Sequence, residues 1–374
     1  MMIVVGMMKD AGVFHWLIRL FCSIKELSGL LLFILIMVFS FILSGLMGEV
    51  SSAMVMVTVI FDLCKVLTIT PVPLIISSVL ATNIGSASTV LGNPIGILIA
   101  ARSGLSFEDF IIHALPLSVF ILIVVIIVLC MWHRTYIKEM SSRIKECHND
   151  QTIKSLHASI TDGKAMMSIS IFVLTVLSIG LHKRMETLFG LEDNNLLIML
   201  PVFFAGIVMI YRHERARHYI EQEVDWYSLL FFMFLFAQAG VLQSSGVANT
   251  IAEKIVAGTG NNPQIILGTI LLAGGILSSL LDNVVVVSSF IPVIQGLQIQ
   301  HVNSASLWWA LLFGACYGGN ITMIGSTANI IALGLLEKEQ EIRVAFFDWL
   351  KIGIVVGIIS IIVSYSVMIV VPLY

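Results

Sequence analysis

The chain has 374 residues, of which 58% are hydrophobic and 11% charged, and its mean hydropathy is +1.01; a soluble domain carries about 25% charged residues, so a water-soluble fold is excluded. Twenty Lys and Arg stand against 23 Asp and Glu, a net charge of −3, with no basic tract and no aromatic residues interleaved with basic ones, which excludes a nucleic-acid surface. The five cysteines, Cys22, Cys64, Cys130, Cys147 and Cys316, follow no CxxC or CxxH spacing, so neither a disulfide framework nor a zinc site is implied.

From the N-terminus, Met1 to Met8 has no basic region and no small-residue cleavage pattern, and reads as the tail of a helix instead of a signal peptide. Leu27–Gly48, Val66–Ala101, Phe110–Trp132, Ala165–Leu181, Asn194–Tyr211, Trp226–Ala252, Ile255–Leu281, Asn283–Leu336 and Ile352–Tyr374 contain no Asp, Glu, Lys or Arg. A helix needs about 20 apolar residues to cross the hydrocarbon, so these runs predict roughly eight or more membrane segments. The expected fold is an all-α polytopic membrane protein with the lipid bilayer as its solvent. The polar stretches His133–Lys164 and Arg212–Asp225 are too short and too charged for separate domains, and read as loops.

Two of the apolar runs are interrupted by polar, glycine-rich patches, Ala81 to Pro94 and Gly318 to Asn329. Irregular backbone at membrane depth survives only where protein or a wet cavity satisfies it, so both patches predict broken helices. Paired broken helices point to a transporter binding site. Each patch alone is equally well explained as small-residue helix packing, with Ser and Thr bonding back to the backbone. The pairing is supported by an internal repeat. Gly6 matches Gly240, Gly12 matches Gly246 and Ser44 matches Ser278 at an offset of 234 (278 − 44); Thr89-Val-Leu-Gly92 matches Thr322-Met-Ile-Gly325 at 233, and Phe107-Glu-Asp109 matches Phe346-Phe-Asp348 at 239.

The second copy reads as two plain helices, a third near Trp226–Leu242 with an amphipathic continuation, a re-entrant hairpin with Asp282-Asn283 at its tip, a broken helix and a last helix. That is an odd number of crossings, so the copies are expected to be inverted. With the Arg-rich loops placed inside, sixteen Lys and Arg, Arg19, Lys25 and Lys154 among them, face the cytoplasm and four (Arg102, Lys183, Arg184, Lys254) face out, in keeping with the positive-inside rule. The expected division is 1–132 for the first repeat, with hairpin and broken helix, 133–164 for a cytoplasmic loop and 165–374 for the second repeat. Subtracting 234 from the second copy's start at Ala165 puts the first copy's start at −69 (165 − 234), so the first repeat reads as truncated at its N-terminus, the alternative being a smaller, naturally asymmetric relative.

The hairpin Leu277-Ser-Ser-Leu-Leu-Asp-Asn283 followed by Gly314-Ala-Cys-Tyr-Gly-Gly-Asn-Ile-Thr-Met-Ile-Gly-Ser-Thr-Ala-Asn-Ile330 resembles the second half of the ion transporter superfamily. That group contains arsenite permeases, melanosomal P-protein permeases, sodium/proton antiporters, and citrate and dicarboxylate symporters. Thr82 to Pro94 with Leu105 to Phe110 resembles its first-half motif, and Asp225 to Phe231 with Gly240 to Gly246 resembles the segment before the second hairpin. The resemblance implies an elevator-type secondary transporter in which each hairpin tip and the following helix break enclose an ion or substrate. Carried onto this chain, the second site comprises Asp282, Asn283, Asn320, Thr322, Ser326 and Asn329, and the first Glu49, Asn83, Ser86, Thr89 and Asn93. Relatives commonly have Asn where this chain has Glu49, and Pro-Pro-Asn where it has Pro94-Ile-Gly96.

Asp282 is the sole Asp, Glu, Lys or Arg between Ile255 and Leu336, and an ionised carboxylate there is costly unless paired, hydrated or protonated. It is thus the leading functional carboxylate, while Glu49 reads equally well as functional or as a carboxylate solvated at a tip near the surface. Sodium would favour a carboxylate with amide and hydroxyl oxygens, as at Asp282, Asn283, Asn320 and Thr322; an anion would favour the half-helix N-terminus. Ser86 and Ser326 serve equally well as helix caps. His213 and His218 are five apart and do not share a helix face, so His213-Glu-Arg-Ala-Arg-His218 reads as a solvated basic loop and not a zinc motif. His113 and His301 flank apolar runs and read as interfacial, as do Trp308 and Trp309.

No nucleotide motif is present, so the expectation is a non-enzymatic secondary transporter in the plasma membrane. It would move an arsenite-like oxyanion or a carboxylate, use no cofactor beyond Na⁺ or H⁺ as coupling ion, and leave room for a homodimer. A Na⁺/H⁺ antiporter of the same superfamily is the nearest alternative. An ion channel and an intramembrane aspartyl protease are more distant ones; the protease needs two facing aspartates where one lies deep.

Overall fold

The computed structural model describes residues 1–13, 28–149, 163–191, 195–224, 226–300, 302 and 304–371. Cys22, Arg19, Lys25, Lys154, Asp225 and His301, on which parts of the sequence reading rest, lie outside the described residues. The described elements are helices: α1 (Met2–Asp10), α2 (Gly29–Met47), α3 (Glu49–Leu67), α4 (Val72–Ser86), α5 (Pro94–Ser103), α6 (Phe107–Trp132, with a π turn at Phe110–Ala114), α7 (Arg134–Asn149), α8 (Gly163–Gly180) and α9 (His182–Phe189). They continue with α10 (Asn195–Tyr211), α11 (Trp226–Ser244), α12 (Val247–Thr259), α13 (Pro263–Leu280), α14 (Asn283–Ile299), α15 (Ala305–Gly318), α16 (Thr327–Gln340) and α17 (Phe346–Val370).

Six of these, α2, α3, α6, α8, α13 and α17, are long and apolar enough to cross a membrane, and bent pairs raise the number of candidate spans to 8. The protein is an all-helical, multi-pass membrane protein. The apolar runs dictate the spans, and polar residues at their ends dictate where helices start. Ser28 caps α2 by accepting from the Leu31 amide, and Asn262, ahead of Pro263, caps α13 by accepting from Gln264 and Ile265. Such caps satisfy amide groups that lipid cannot. Ser106 and Asp109 form a reciprocal capping box at the start of α6.

Hairpins and broken helices stand where the sequence pattern puts them. Helices α2 and α3 fold back on each other through Gly48, whose φ of +93° requires glycine, and α13 and α14 do so through Leu281-Asp282. The chain breaks between α4 and α5 at 87–93, and between α15 and α16 at 319–326. Helix α2 packs along α4, and α13 along α15. These contacts are close because glycine allows it: a Cβ on Gly85 would lie 2.3 Å from the Phe41 carbonyl oxygen, and one on Gly318 would lie 2.2 Å from that of Gly275. The two contacts correspond residue for residue (318 − 85 = 233; 275 − 41 = 234). Gly12 and Gly246 also share a left-handed conformation, with φ of +71° and +75°.

Three expectations change. The stretch 133–164 is not all loop. Its described part forms α7, in which Ile137, Met140 and Ile144 make a buried stripe among the charges. The helix docks on the first hairpin, with the Gly29 amide donating to Ser141 Oγ at 3.0 Å and the Tyr136 hydroxyl to the Thr70 carbonyl at 2.7 Å. High charge density concealed that stripe. Arg212–Asp225 likewise contains short helical turns over His213–Glu223, bent 102° from α10, and tied to α1 by Arg215–Asp10 at 2.8 Å and Lys9–Glu223 at 3.2 Å. Trp308 and Trp309 are buried, Trp309 packing edge-on against Phe110 at 4.9 Å, so they are core residues of α15 and not interfacial anchors.

Gly318→Ala places a methyl group against backbone that cannot rotate away, and overpacking of this kind costs about 1–3 kcal/mol or more. We expect the temperature at which purified protein loses its monodisperse peak to fall clearly. Gly334→Ala, where a Cβ meets nothing within 4 Å, should hold that temperature or raise it, since alanine is the better helix former by about 1 kcal/mol.

Candidate functional site

At the two tips Glu49, which the sequence left open between a functional and a solvated position, is the more buried carboxylate, and Asp282 the less buried one. Glu49 is 3% exposed, whereas Asp282 is partly buried. The reason is local: Asp282 is the N-cap of α14, accepting from the Val284 amide at 2.9 Å and from the Thr327 hydroxyl at 2.6 Å, so both its oxygens are engaged at the rim. Glu49 is the first residue of α3, directed inward, and its Oε1 accepts from Asn283 Nδ2 at 3.4 Å. Glu49 and Asn283 occupy equivalent positions in the two hairpins (283 − 49 = 234). Glu49 Oε2 and Asn283 Oδ1 are buried without a partner, as are Ser44 Oγ and Thr82 Oγ1.

Behind the tips, the two helix breaks are held by the same bonds. Thr89 Oγ1 donates to the Gly45 carbonyl and accepts from the Leu91 amide at 3.2 Å. Thr322 Oγ1 donates to the Ser279 carbonyl and accepts from the Ile324 amide at 3.4 Å. Helices α5 and α16 then start inside the protein, capped by Asn93, which accepts from the Gly96 amide at 2.7 Å, and by Ser326, which accepts from Ala328 at 3.2 Å.

The copies meet through these polar residues. Asn83 Nδ2 donates to Asn320 Oδ1 and to Asn329 Oδ1, both at 2.8 Å, and Asn83 Oδ1 accepts from Ser326 Oγ at 3.0 Å. Asn329 Nδ2 donates to the carbonyls of Gly319 and Thr322, each at 2.9 Å, which fixes the second break. On the other side, Asn93 Nδ2 donates to Ser86 Oγ and to Cys316 Sγ, both at 3.0 Å. These contacts are reciprocal: Asn83 with Ser326 corresponds to Cys316 with Asn93 (316 − 83 = 233; 326 − 93 = 233). Glu49 and Asn283, at equivalent positions in the two hairpins, meet each other directly.

All eleven sequence-nominated residues therefore lie in the tips, in the breaks or on the helix turns beside them, in an arrangement that differs from two self-contained shells. Asn83, assigned to the first site, belongs to the amide cluster with Asn320, Ser326 and Asn329. The four residues nominated for sodium are engaged apart from one another, Asp282 with Thr327, Asn283 with Glu49, Asn320 with Asn83, and Thr322 with Ser279. Cys316 and Thr327 were not nominated. Cys316 was discoverable as the repeat equivalent of Asn83; Thr327 carried no signal, because its partner is set by the hairpin fold.

Thr322→Val and Thr89→Val keep side-chain shape and leave a buried carbonyl of the facing hairpin unpaired, which costs about 1–3 kcal/mol each. Each should lower the thermal midpoint of the purified protein by a similar amount, because the two bonds are equivalent; an effect confined to one copy would contradict that equivalence.

The sequence model of the citrate transporter family matches residues 1–314, and in an overlapping match 196–373. Among curated relatives, an uncharacterized transporter of Mycobacterium tuberculosis is 26% identical over 368 residues, covering 97% of this chain and 82% of the relative. The 46 kDa membrane protein of Mycobacterium leprae is 29% identical over 367 residues, covering 96% and 82%. The P protein of Homo sapiens is 23% identical over 440 aligned positions, covering 96% of this chain and 51% of that protein. With the hairpins, paired helix breaks and multi-pass apolar helices already described, the match over nearly the whole chain makes it a membrane transporter, and it belongs to the citrate transporter family.

Proposed function

We propose that the protein is a secondary active transporter of the plasma membrane that moves a small anion, a carboxylate or an arsenite-like oxyanion, coupled to a H⁺ or Na⁺ gradient. The observation that carries this is that two helices start inside the protein, at Asn93 and Ser326, each cap residue in hydrogen-bonding contact with the other copy's broken helix. A helix start carries partial positive charge and unpaired amides, and suits an anion. Arg102 lines a cleft with Gln243, Ser288 and Gln295 between α5, α11 and α14, a positively charged surface that suits an anion. The family's description favours a carboxylate.

An elevator-like motion is part of the proposal. Hairpins and broken helices pack on one another, α3 against α16 and α14 against α5, whereas α8 and α10 pack chiefly on α1, α9 and the start of α6. That division offers a moving body and a supporting one. Glu49 and Asp282 are the carboxyl groups of the tips, Glu49 in a buried position and Asp282 at the rim.

The test is uptake of radiolabelled citrate, succinate and arsenite into proteoliposomes, with proton and sodium gradients imposed separately. We expect saturable accumulation of at least one anion against its gradient, driven by one of the two ions. Saturable sodium–proton exchange with no anion movement would favour the antiporter instead, and non-saturating, uncoupled flux would identify a channel.

A further inference from the structure

Glu49 and Asn283 form a pair whose hydrogen bonding is half complete. Both are nearly fully buried, at 3% and 1% exposure, and the one bond between them runs from Asn283 Nδ2 to Glu49 Oε1 at 3.4 Å, the long limit for such a bond. The two atoms left over, Glu49 Oε2 and Asn283 Oδ1, have no partner. Both are acceptors when the carboxylate is ionised, so neither can satisfy the other. A carboxylic acid and a primary amide, by contrast, pair edge to edge through two hydrogen bonds, N–H to the acid carbonyl and O–H to the amide carbonyl. One proton supplies the missing donor.

The surroundings offer no opposite charge. Among the described residues no Lys, Arg or His forms an ion pair with Glu49. The titratable groups acting on it are Asp282, from the tip of the second hairpin, and Cys316, from α15; Ser86, from α4, is its other polar neighbour. None of these groups can carry a positive charge, so none offsets a charge on the buried Glu49 carboxylate.

We propose that Glu49 and Asn283 are the proton-coupling element of the transporter, a carboxylic acid–amide pair that closes when Glu49 Oε2 takes a proton and opens when it releases one. The inference rests on the transport reading and sharpens it, by assigning coupling to the proton and to Glu49. In the closed pair the O–H bond forms on Oε2 with a proton from the water on one side, and the two hairpin tips are joined by two hydrogen bonds. In the open pair that proton has passed to water on the other side, the second bond is lost, and the buried carboxylate forces the tips to admit water. A joint between equivalent positions engages both hairpins, so one protonation event governs both copies.

The pair can be tested without a transported substrate. Infrared spectroscopy of the purified protein in lipid, at neutral pH and without sodium, should show a hydrogen-bonded carboxylic acid carbonyl band that shifts in heavy water. The band should vanish in Glu49→Gln and persist in Asp282→Asn. Because the positions are equivalent, the exchange Glu49→Asn with Asn283→Glu should restore the band that Glu49→Asn alone removes, which a general packing role would not do. In proteoliposomes, Glu49→Gln should flatten the proton dependence of transport while the purified protein remains folded. Absence of the band from the wild type, or its removal by sodium through a binding event that Glu49→Gln abolishes, would overturn the proposal in favour of an ionised carboxylate holding a cation. A band that behaves as expected in a protein with no measurable anion uptake would leave the pair standing and overturn the anion-transport reading.

Discussion

Backbone that leaves the helix inside a membrane must find its hydrogen bonds within the protein, and the architecture follows from how two such breaks are satisfied. At each break a threonine hydroxyl, Thr89 or Thr322, bridges the irregular chain to a carbonyl on the facing hairpin arm, Gly45 or Ser279. The bridge requires the hairpin to lie very close, and glycine at 85 and 318 permits that approach. A break, a hairpin and a glycine contact therefore come as a set, and the chain contains the set twice. Neither set could be built singly from the apolar runs, because the exposed amides and carbonyls would cost several kcal/mol each in hydrocarbon.

The copies share their scaffold and differ in their polar lining. Asn320 and Asn329 crowd the second break, where the first has Ala87 and Gly96 at the equivalent positions, and Cys316 stands where the first copy has Asn83. One side of the interface thus holds a compact amide cluster with its hydrogen bonds closed, and the other holds Asn93, Ser86 and a thiol with fewer strong partners. Where the tips meet, the equivalent residues are a carboxyl and an amide. The two copies thus differ in a few polar side chains on a shared frame of backbone bonds.

Much of this was legible in the sequence because membrane burial writes in charge and glycine. Charge-free runs marked the spans, Gly-Asn-rich interruptions marked the breaks, and a steady offset tied Thr89 to Thr322 before any contact was known. The offset was less informative about depth. Asp282 stood alone in a long charge-free run and looked buried, whereas the sequence left Glu49 open between a functional and a solvated tip; three-dimensional packing turns Glu49 inward against Asn283 and leaves Asp282 capping a helix at the rim. Helix α7 was hidden for the opposite reason, since its buried Ile137, Met140 and Ile144 are separated by charges that face away. Crossed pairing of Asn83 with the second break depends on how the two units dock, which spacing along the chain does not encode.

The central claim is that one region, bounded by both helix breaks, is reached alternately from the two sides of the membrane. Cys316 is a native reporter in that region, 1% exposed and in contact with Asn93. With the other four cysteines replaced, oriented vesicles can be treated with a membrane-impermeant thiol reagent from one side or the other under imposed proton gradients. The account predicts that Cys316 reacts from one side at a time and that reversing the gradient changes the reactive side. Reaction from both sides under the same gradient, or from neither under any gradient, would contradict it.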